Sequence, residues 1–203
     1  MVKVKICGIR CLEEIEKANE LNLDYIGFVF ARSRRQVTVQ QAQKLKHQLD
    51  TSIQVVGVFV NHTKADIIYC VEEKIIDVVQ LHGEETEEDI LYLKKNLPTT
   101  PIIKAINVTC VEDILKWQDS KVDFLLLDHG TGGTGLTFDW SVLEKAKFTK
   151  SYFIAGGLNS ENVGEALRYK PYAVDVSGGV ETDGTKDLKK MDLFTKRARK
   201  EVI

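Results

Sequence analysis

The sequence predicts an α/β fold, one (β/α)8 barrel spanning residues 1–203 as a single domain. Three observations lead there. Eight short runs rich in valine, isoleucine and phenylalanine recur along the 203 residues. Charged, amphipathic stretches separate them. The repeat is about 25 residues, near the minimum for a strand, a helix and two short loops. Strands that alternate with helices imply a parallel sheet. Eight such units in a chain this short imply a closed barrel at the small end of its size range. A doubly wound sheet is the competing architecture. It usually carries a glycine fingerprint after its first strand, and Cys7-Gly8-Ile9-Arg10 is not one.

The first strand, Val2–Cys7, alternates so that Val2, Val4 and Ile6 share one face and Lys3, Lys5 and Cys7 the other. The other strands are expected at Tyr25–Phe30, Gln54–Val60, Val78–His82, Pro101–Ile106, Phe124–Asp128, Tyr152–Ala155 and Ala173–Ser177. Helical patterns between them include Leu12–Leu21, Val39–Leu49, Thr86–Leu97, Trp140–Lys147 and Glu161–Tyr169. A charged helix, roughly Lys186 to Lys200, closes the chain. Trp117 and Trp140 fall in helical stretches and read as packing residues.

Bulk properties narrow the function. A formal net charge of −2 argues against a nucleic-acid partner, which usually calls for a basic footprint. No apolar run reaches the length of a membrane helix, and the chain opens directly into a charged strand, so no signal peptide is expected. The four cysteines, Cys7, Cys11, Cys70 and Cys110, form no CxxC pair and have no ligand-spaced histidines. That pattern predicts neither a metal site nor a disulfide framework, and it fits a reducing cytoplasm. The sequence leaves a monomer and a homodimer both open.

In such a barrel, chemistry collects at the carboxyl ends of the strands. Those ends carry Cys7-Gly8, Arg32-Ser33-Arg34-Arg35, Asn61, Gln80-Leu81-His82-Gly83, Lys104, Asp128, Gly156-Gly157 and Ser177-Gly178-Gly179. The paired glycines after strands seven and eight can turn backbone N–H groups onto an anion, which points to a phosphorylated small molecule. Tight turns without a ligand are the plainer reading. Gly132-Gly133-Thr134-Gly135 offers a lid or further amides and is not a Walker A loop. Asp128, after three leucines, is either a shielded proton donor or a cap for the next turn. The three arginines are either a solvated loop or a clamp for a carboxylate. Cys7 is either a small buried hydrophobe or a reactive thiol. Asp175 and Lys5 face inward on neighbouring strands and are expected to form an ion pair, because an unpaired buried charge is costly. Gln80 and His82 share an inward face, where His82 is a base or a positioning group.

Taken in order, these segments resemble the phosphoribosylanthranilate isomerases. The resemblance rests on Lys5-Ile6-Cys7-Gly8-Ile9, Gly27-Phe28-Val29-Phe30, Ser33-Arg34-Arg35-Gln36-Val37-Thr38, Gly57-Val58-Phe59-Val60-Asn61 and Val79-Gln80-Leu81-His82-Gly83-Glu84. It continues through Gly132-Gly133-Thr134-Gly135, Phe138-Asp139-Trp140, Ala155-Gly156-Gly157-Leu158-Asn159 and Val174-Asp175-Val176-Ser177. The resemblance implies a TIM barrel of tryptophan biosynthesis. Its expected reaction is a cofactor-free Amadori rearrangement of N-(5-phosphoribosyl)anthranilate to 1-(2-carboxyphenylamino)-1-deoxyribulose 5-phosphate. It implies Asp128 as the acid and Cys7 as the base; because a free thiol has a pKa of about 8.5, some depression is expected, from the neighbouring lysine or the substrate iminium. Arg35 is implied on the anthranilate carboxylate. Gly157, Ser177, Gly178 and Gly179, with backbone of the loop around Gly133, are implied on the phosphate. Gln80, His82 and Asp175 complete the substrate-binding set.

The chain departs from that pattern in three places. The segment between Asp128 and Gly132 is short, Gly178 replaces a serine, and Ser160 stands where proline is common. Competing readings are a pentose-phosphate epimerase, a thiamine-phosphate synthase, an isomerase of the parallel aminoaldose in histidine biosynthesis, or a barrel that only binds a phosphorylated metabolite.

Overall fold

The structure, a computed structural model, describes residues 1–129, 137 and 139–200. Strand alternation sorts its side chains into two layers. In β1 (Lys3–Cys7), Val4 and Ile6 are fully buried beneath the helices, while Lys5 and Cys7 turn into the barrel. The other strands are β2 (Tyr25–Val29), β3 (Gln54–Phe59), β4 (Val78–Leu81), β5 (Ile102–Asn107), β6 (Phe124–Asp128), β7 (Ser151–Ile154) and β8 (Ala173–Val176). They lie in sequence order and close into a barrel, β8 pairing parallel to β1 with Asp175 opposite Lys5.

The packing inside the barrel explains why a cavity opens at the carboxyl ends of its strands. Bulky side chains fill the lower interior: Tyr25, Val56, Val78, Ile103, Leu126 and Phe153 form one buried cluster, with Phe124 and Tyr172 packed against it. Tyr25 meets Phe153 edge-on at 5.7 Å between ring centres, and Phe124 lies 4.8 Å from Tyr172. Towards the carboxyl ends the inward residues shrink to Gly27, Ala105 and Ala155, and space remains above them.

Helices α1 (Leu12–Glu20), α2 (Val39–Lys46), α3 (Lys64–Glu72), α4 (Glu87–Asn96), α5 (Val111–Leu115), α6 (Val142–Lys145), α7 (Val163–Ala166) and α8 (Leu188–Arg199) follow the strands in turn. Side-chain caps start several of them. Thr38 accepts from the Gln41 N–H while Gln41 reaches back to the Thr38 N–H, and Thr86 and Asp89 repeat that box at α4. Asp187 accepts from the N–H groups of Lys189 and Lys190 at α8, whose last turn is basic, as the helix dipole favours. Each cap is worth about 1 kcal/mol.

The expected strands all form, within a residue or two at their ends. Helices α3 and α5 lie outside the helical stretches named from the sequence. The Glu161–Tyr169 stretch divides into α7 and a 3-10 turn at Leu167–Tyr169. The last helix begins at Leu188 rather than near Lys186, because Glu181–Thr182 and Thr185–Lys186 pair first as an antiparallel hairpin, β9 and β10. Its two-residue turn has Asp183 at φ 52° and Gly184 at φ 78°. That left-handed pair is the turn that matches the twist of a tight hairpin, and Asp-Gly is a sequence that adopts it readily.

Candidate active site

A cavity of about 480 Å³ opens over the carboxyl ends of the strands, within the size range of small-molecule sites. Cys7, Arg35, Gln80, His82, Asp128, Gly157, Asp175, Ser177, Gly178 and Gly179 all line it, so residues spread over most of the chain converge there. Gly133 and the rest of the Gly132–Gly135 loop lie outside the described residues. A more open groove of about 750 Å³ lies beside it, between the loops after β4 and β5. Its buried charges, Lys104 and Glu85, are already paired at 2.9 Å.

Glycines set three of these side chains. A Cβ on Gly27 would stand 2.7 Å from the Cys7 sulfur, so the strand beside Cys7 must lack a side chain there. A Cβ on Gly8 would come within 2.7 Å of Arg35 Cδ, and one on Gly156 within 2.7 Å of Asp128 Oδ1. Gly8 and Gly156 also sit at positive φ, 84° and 73°, so both space and backbone demand glycine.

Cys7 lies above a buried ion pair. Lys5 Nζ donates to Asp175 Oδ2 at 2.7 Å, as alternation and barrel closure lead one to expect, and Lys5 is fully buried. Burial alone would lower the lysine pKa. The negative charges of Asp175 and Cys7 reverse that and hold it above its ordinary value. Asp175 is pushed up, chiefly by burial, with Lys5 pulling it back. Its Oδ1 is buried and has no hydrogen-bond partner among the described residues. The Cys7 thiol pKa is raised, not depressed as expected from the sequence. Burial dominates, and the cations Lys5, Lys186 and Arg35 offset it only in part. Local sequence reveals the neighbouring lysine but not the depth at which the thiol sits.

Asp128 Oδ1 accepts from the His129 N–H at 2.7 Å, and the turn it was expected to cap lies outside the described residues. Its other oxygen, Oδ2, lies 3.3 Å from His82 Nε2. Gln80 Nε2 lies 3.0 Å from His82 Nδ1. With the amide donating there, the imidazole carries its proton on Nε2, facing Asp128, and Gln80 Oε1 has no partner among the described residues. Asp128 thus holds the first backbone N–H after its strand and lines the cavity as well.

The two glycine loops touch. A Cβ on Gly179 would collide with the Leu158 carbonyl oxygen at 1.8 Å, so only glycine lets the loop after β8 lie against the loop after β7. Gly157 has φ 63°, and its carbonyl accepts from Asn162 Nδ2 at 3.0 Å. The Ser177 hydroxyl donates to the Cys7 carbonyl at 3.0 Å, tying this loop to the first strand.

Arg35 lines the cavity and is already engaged by a carboxylate of the chain itself. Its Nε and Nη2 donate to the two oxygens of Glu181 at 2.6 and 2.9 Å. That pairing raises the arginine pKa. Glu181 also accepts from Arg34 Nη2 at 2.8 Å and from Lys186 Nζ at 2.9 Å. Burial alone would raise its pKa, but Arg35 and Lys186 pull the carboxyl down to about 2. Glu181 and Lys186 are not among the site residues expected from the sequence. The available signal was the Asp183-Gly184 turn, which puts Lys186 on a strand facing Glu181 instead of on a helix. Among the described residues, no group of three or more His, Cys, Asp or Glu could hold a metal ion, and no helix is long and apolar enough to cross a membrane.

A parallel barrel whose rim gathers a thiol, a carboxyl group and two apposed glycine loops defines a small-molecule enzyme of the acid–base kind. Residues 4–197 match the family model for N-(5'-phosphoribosyl)anthranilate (PRA) isomerase, and the chain belongs to that family. It is 47% identical over 204 residues to the N-(5'-phosphoribosyl)anthranilate isomerase of Thermoanaerobacter sp. (strain X514), covering 98% of each chain. It superposes with a TM-score of 0.89 on the phosphoribosyl anthranilate isomerase of Thermotoga maritima, at 37% identity and 98% coverage of both. A solved isomerase in complex with reduced 1-(o-carboxyphenylamino)-1-deoxyribulose 5-phosphate is 34% identical, with a TM-score of 0.84 and 98% coverage of both.

Proposed function

We propose that this chain performs its family's reaction, the Amadori rearrangement of N-(5-phosphoribosyl)anthranilate to 1-(2-carboxyphenylamino)-1-deoxyribulose 5-phosphate, with Asp128 as acid and Cys7 as base. It is an aldose–ketose isomerase of tryptophan biosynthesis. The observation that carries the reading is one cavity that presents Cys7, Asp128, Arg35 and both glycine loops together. Asp128 gives a proton to the ribose ring oxygen, which opens the ring to an iminium. Cys7, as thiolate, takes the C2 proton, and the resulting enolamine tautomerises to the ketone at C2 with protonation at C1. His82 and Gln80 orient Asp128. Arg35 holds the anthranilate carboxylate. Gly157, Ser177, Gly178 and Gly179, with the loop that includes Gly133, hold the phosphate. Asp175 Oδ1, at the cavity floor and without a partner among the described residues, is suited to a ribose hydroxyl. The thiols are all free among the described residues, which supports action in a reducing cytoplasm.

Loss of phosphoribosylanthranilate fluorescence tests this directly in wild type, Cys7→Ala and Asp128→Ala. Turnover by wild type and its loss, by at least about 10²-fold, in each variant is the expected result. No wild-type turnover would sink the assignment, and near-normal turnover in either variant would sink that residue's role.

A further inference from the structure

We propose that Glu181 is a positioning residue for the substrate's anions, aligning Arg35 and Lys186 and coupling the carboxylate end of the site to the phosphate loop. This rests on the reaction assigned above. Glu181 does not line the cavity. It stands behind it, with its side chain 4% exposed, and holds three cations on two oxygens. Arg34, the third, is 60% exposed and well solvated. The buried part of the cluster is therefore two cations around one carboxylate, an excess of one positive charge at the edge of the cavity.

Geometry shows what the carboxylate fixes. Glu181 occupies the side of the guanidinium that carries Nε and Nη2. The arginine stem lies against Gly8, and Nη2 stands 3.4 Å from where a Cβ on Gly178 would be. With one edge clamped and the stem confined, Nη1 is left as the donor directed away from Glu181. A planar fork held this way loses less freedom when it meets a second carboxylate. On the other side, Lys186 Nζ donates to Glu181 Oε1 at 2.9 Å, to the Ser177 carbonyl at 3.0 Å and to the Ser177 hydroxyl at 3.3 Å. Ser177 in turn donates to the Cys7 carbonyl. One carboxylate thus reaches the carboxylate-binding arginine, the first residue of the phosphate loop and, through it, the strand end that carries the base. Arg10 braces the same corner, donating to the carbonyls of Arg34 at 2.7 Å and Gly184 at 3.0 Å.

Glu181→Gln in the full chain keeps the shape and removes the charge. Two readouts are taken: steady-state kinetics with phosphoribosylanthranilate, and the rise in melting temperature caused by inorganic phosphate. The expected result is a KM raised about tenfold with kcat within about threefold of wild type, because binding of the anions is lost more than transition-state chemistry. Phosphate protection should weaken in parallel. Glu181→Asp keeps the charge on a shorter arm and should fall between the two. An unchanged KM, with only a lower melting temperature, would overturn the proposal and leave Glu181 a structural staple. Should the Gln variant not fold, the Asp variant decides on the same criterion, a raised KM or an unchanged one. If wild type itself does not turn over this substrate, the assigned reaction falls, and phosphate protection still decides whether Glu181 organises an anion site.

Discussion

Gly27→Ala tests whether the position of Cys7 is fixed by the strand beside it. Gly27 pairs with Cys7 in the barrel, and its carbonyl accepts from the N–H groups of Gly8 at 2.8 Å and Ile9 at 3.1 Å. A methyl group there would lie 2.7 Å from the Cys7 sulfur, 3.0 Å from its Cα and 3.2 Å from its Cβ. Comfortable separations are roughly 3.5–4.0 Å, so the thiol must retreat by about 1 Å. A displacement of that size at a reacting group costs on the order of 10²-fold in rate, about 2.7 kcal/mol of barrier. Crowding costs stability as well, about 1–3 kcal/mol, offset by up to about 1 kcal/mol because alanine has less freedom to lose on folding. The expected variant is folded, melts a few degrees lower and turns over about 10²-fold more slowly by the fluorescence assay. Gly164→Ala is the control. It lies in α7 and its Cβ would meet nothing within 4 Å, so helix propensity alone should stabilise it by about 1 kcal/mol at unchanged kcat. A Gly27→Ala enzyme with kcat/KM within about threefold of the Gly164→Ala enzyme would refute the reasoning.

Other outcomes follow from the charges. Lys5→Met leaves Asp175 buried without its cation and should cost about 3–5 kcal/mol in denaturant unfolding. Adding Asp175→Asn should recover part of that, because the stranded charge goes too. Iodoacetamide at neutral pH, followed by mass spectrometry, should label exposed Cys11 and Cys110 before Cys7, whose thiol is buried and raised in pKa. For the same reason kcat/KM should keep rising beyond about pH 8.5, the ordinary thiol value, and a plateau at neutral pH would contradict it. Glu181, drawn down to about 2, contributes stability that is fully present above the ordinary Glu value of about 4.3 and is lost as pH falls through 2. The stability gap between wild type and Glu181→Gln should therefore close on acidification through that window, and a gap constant down to pH 2 would show that the charge is not its source.

The barrel was legible because its signals are local and repeated: alternation in each strand, and eight units of similar length. The Lys5–Asp175 pair followed from the same two facts, since inward-facing charges on the first and last strands meet only if the sheet closes. What escaped depends on depth or on tertiary contact. The lysine beside Cys7 suggests a depressed pKa, but burial outweighs it, and no residue near Cys7 in sequence reports burial. Arg35 could be read as an anion clamp, while its partner Glu181 lies 146 residues away. Lys186 was absorbed into a helical charge pattern although Asp183-Gly184 marked a hairpin. Gly27 carried a readable signal, a glycine inside an otherwise bulky strand, which commonly marks a close approach.

The raised thiol pKa bears on the order of the proposed steps. A higher pKa makes thiolate scarcer but also a stronger base. If about half of that strength is expressed in the transition state, each unit costs roughly threefold in rate rather than ten. Lys5, Lys186 and Arg35 limit the scarcity, yet Lys5 is already paired with Asp175, and Arg35 and Lys186 with Glu181. The substrate's own iminium adds a further positive charge beside the thiol, and it forms only after Asp128 has protonated the ring oxygen. The iminium both acidifies the C2 proton and favours the thiolate, so ring opening must come before proton removal. Asp128→Ala should therefore abolish exchange of the substrate's C2 hydrogen with solvent deuterium, although Cys7 is intact. Exchange at the wild-type rate in that variant, followed by NMR in deuterium oxide, would show that Cys7 acts without the iminium and that the order is wrong.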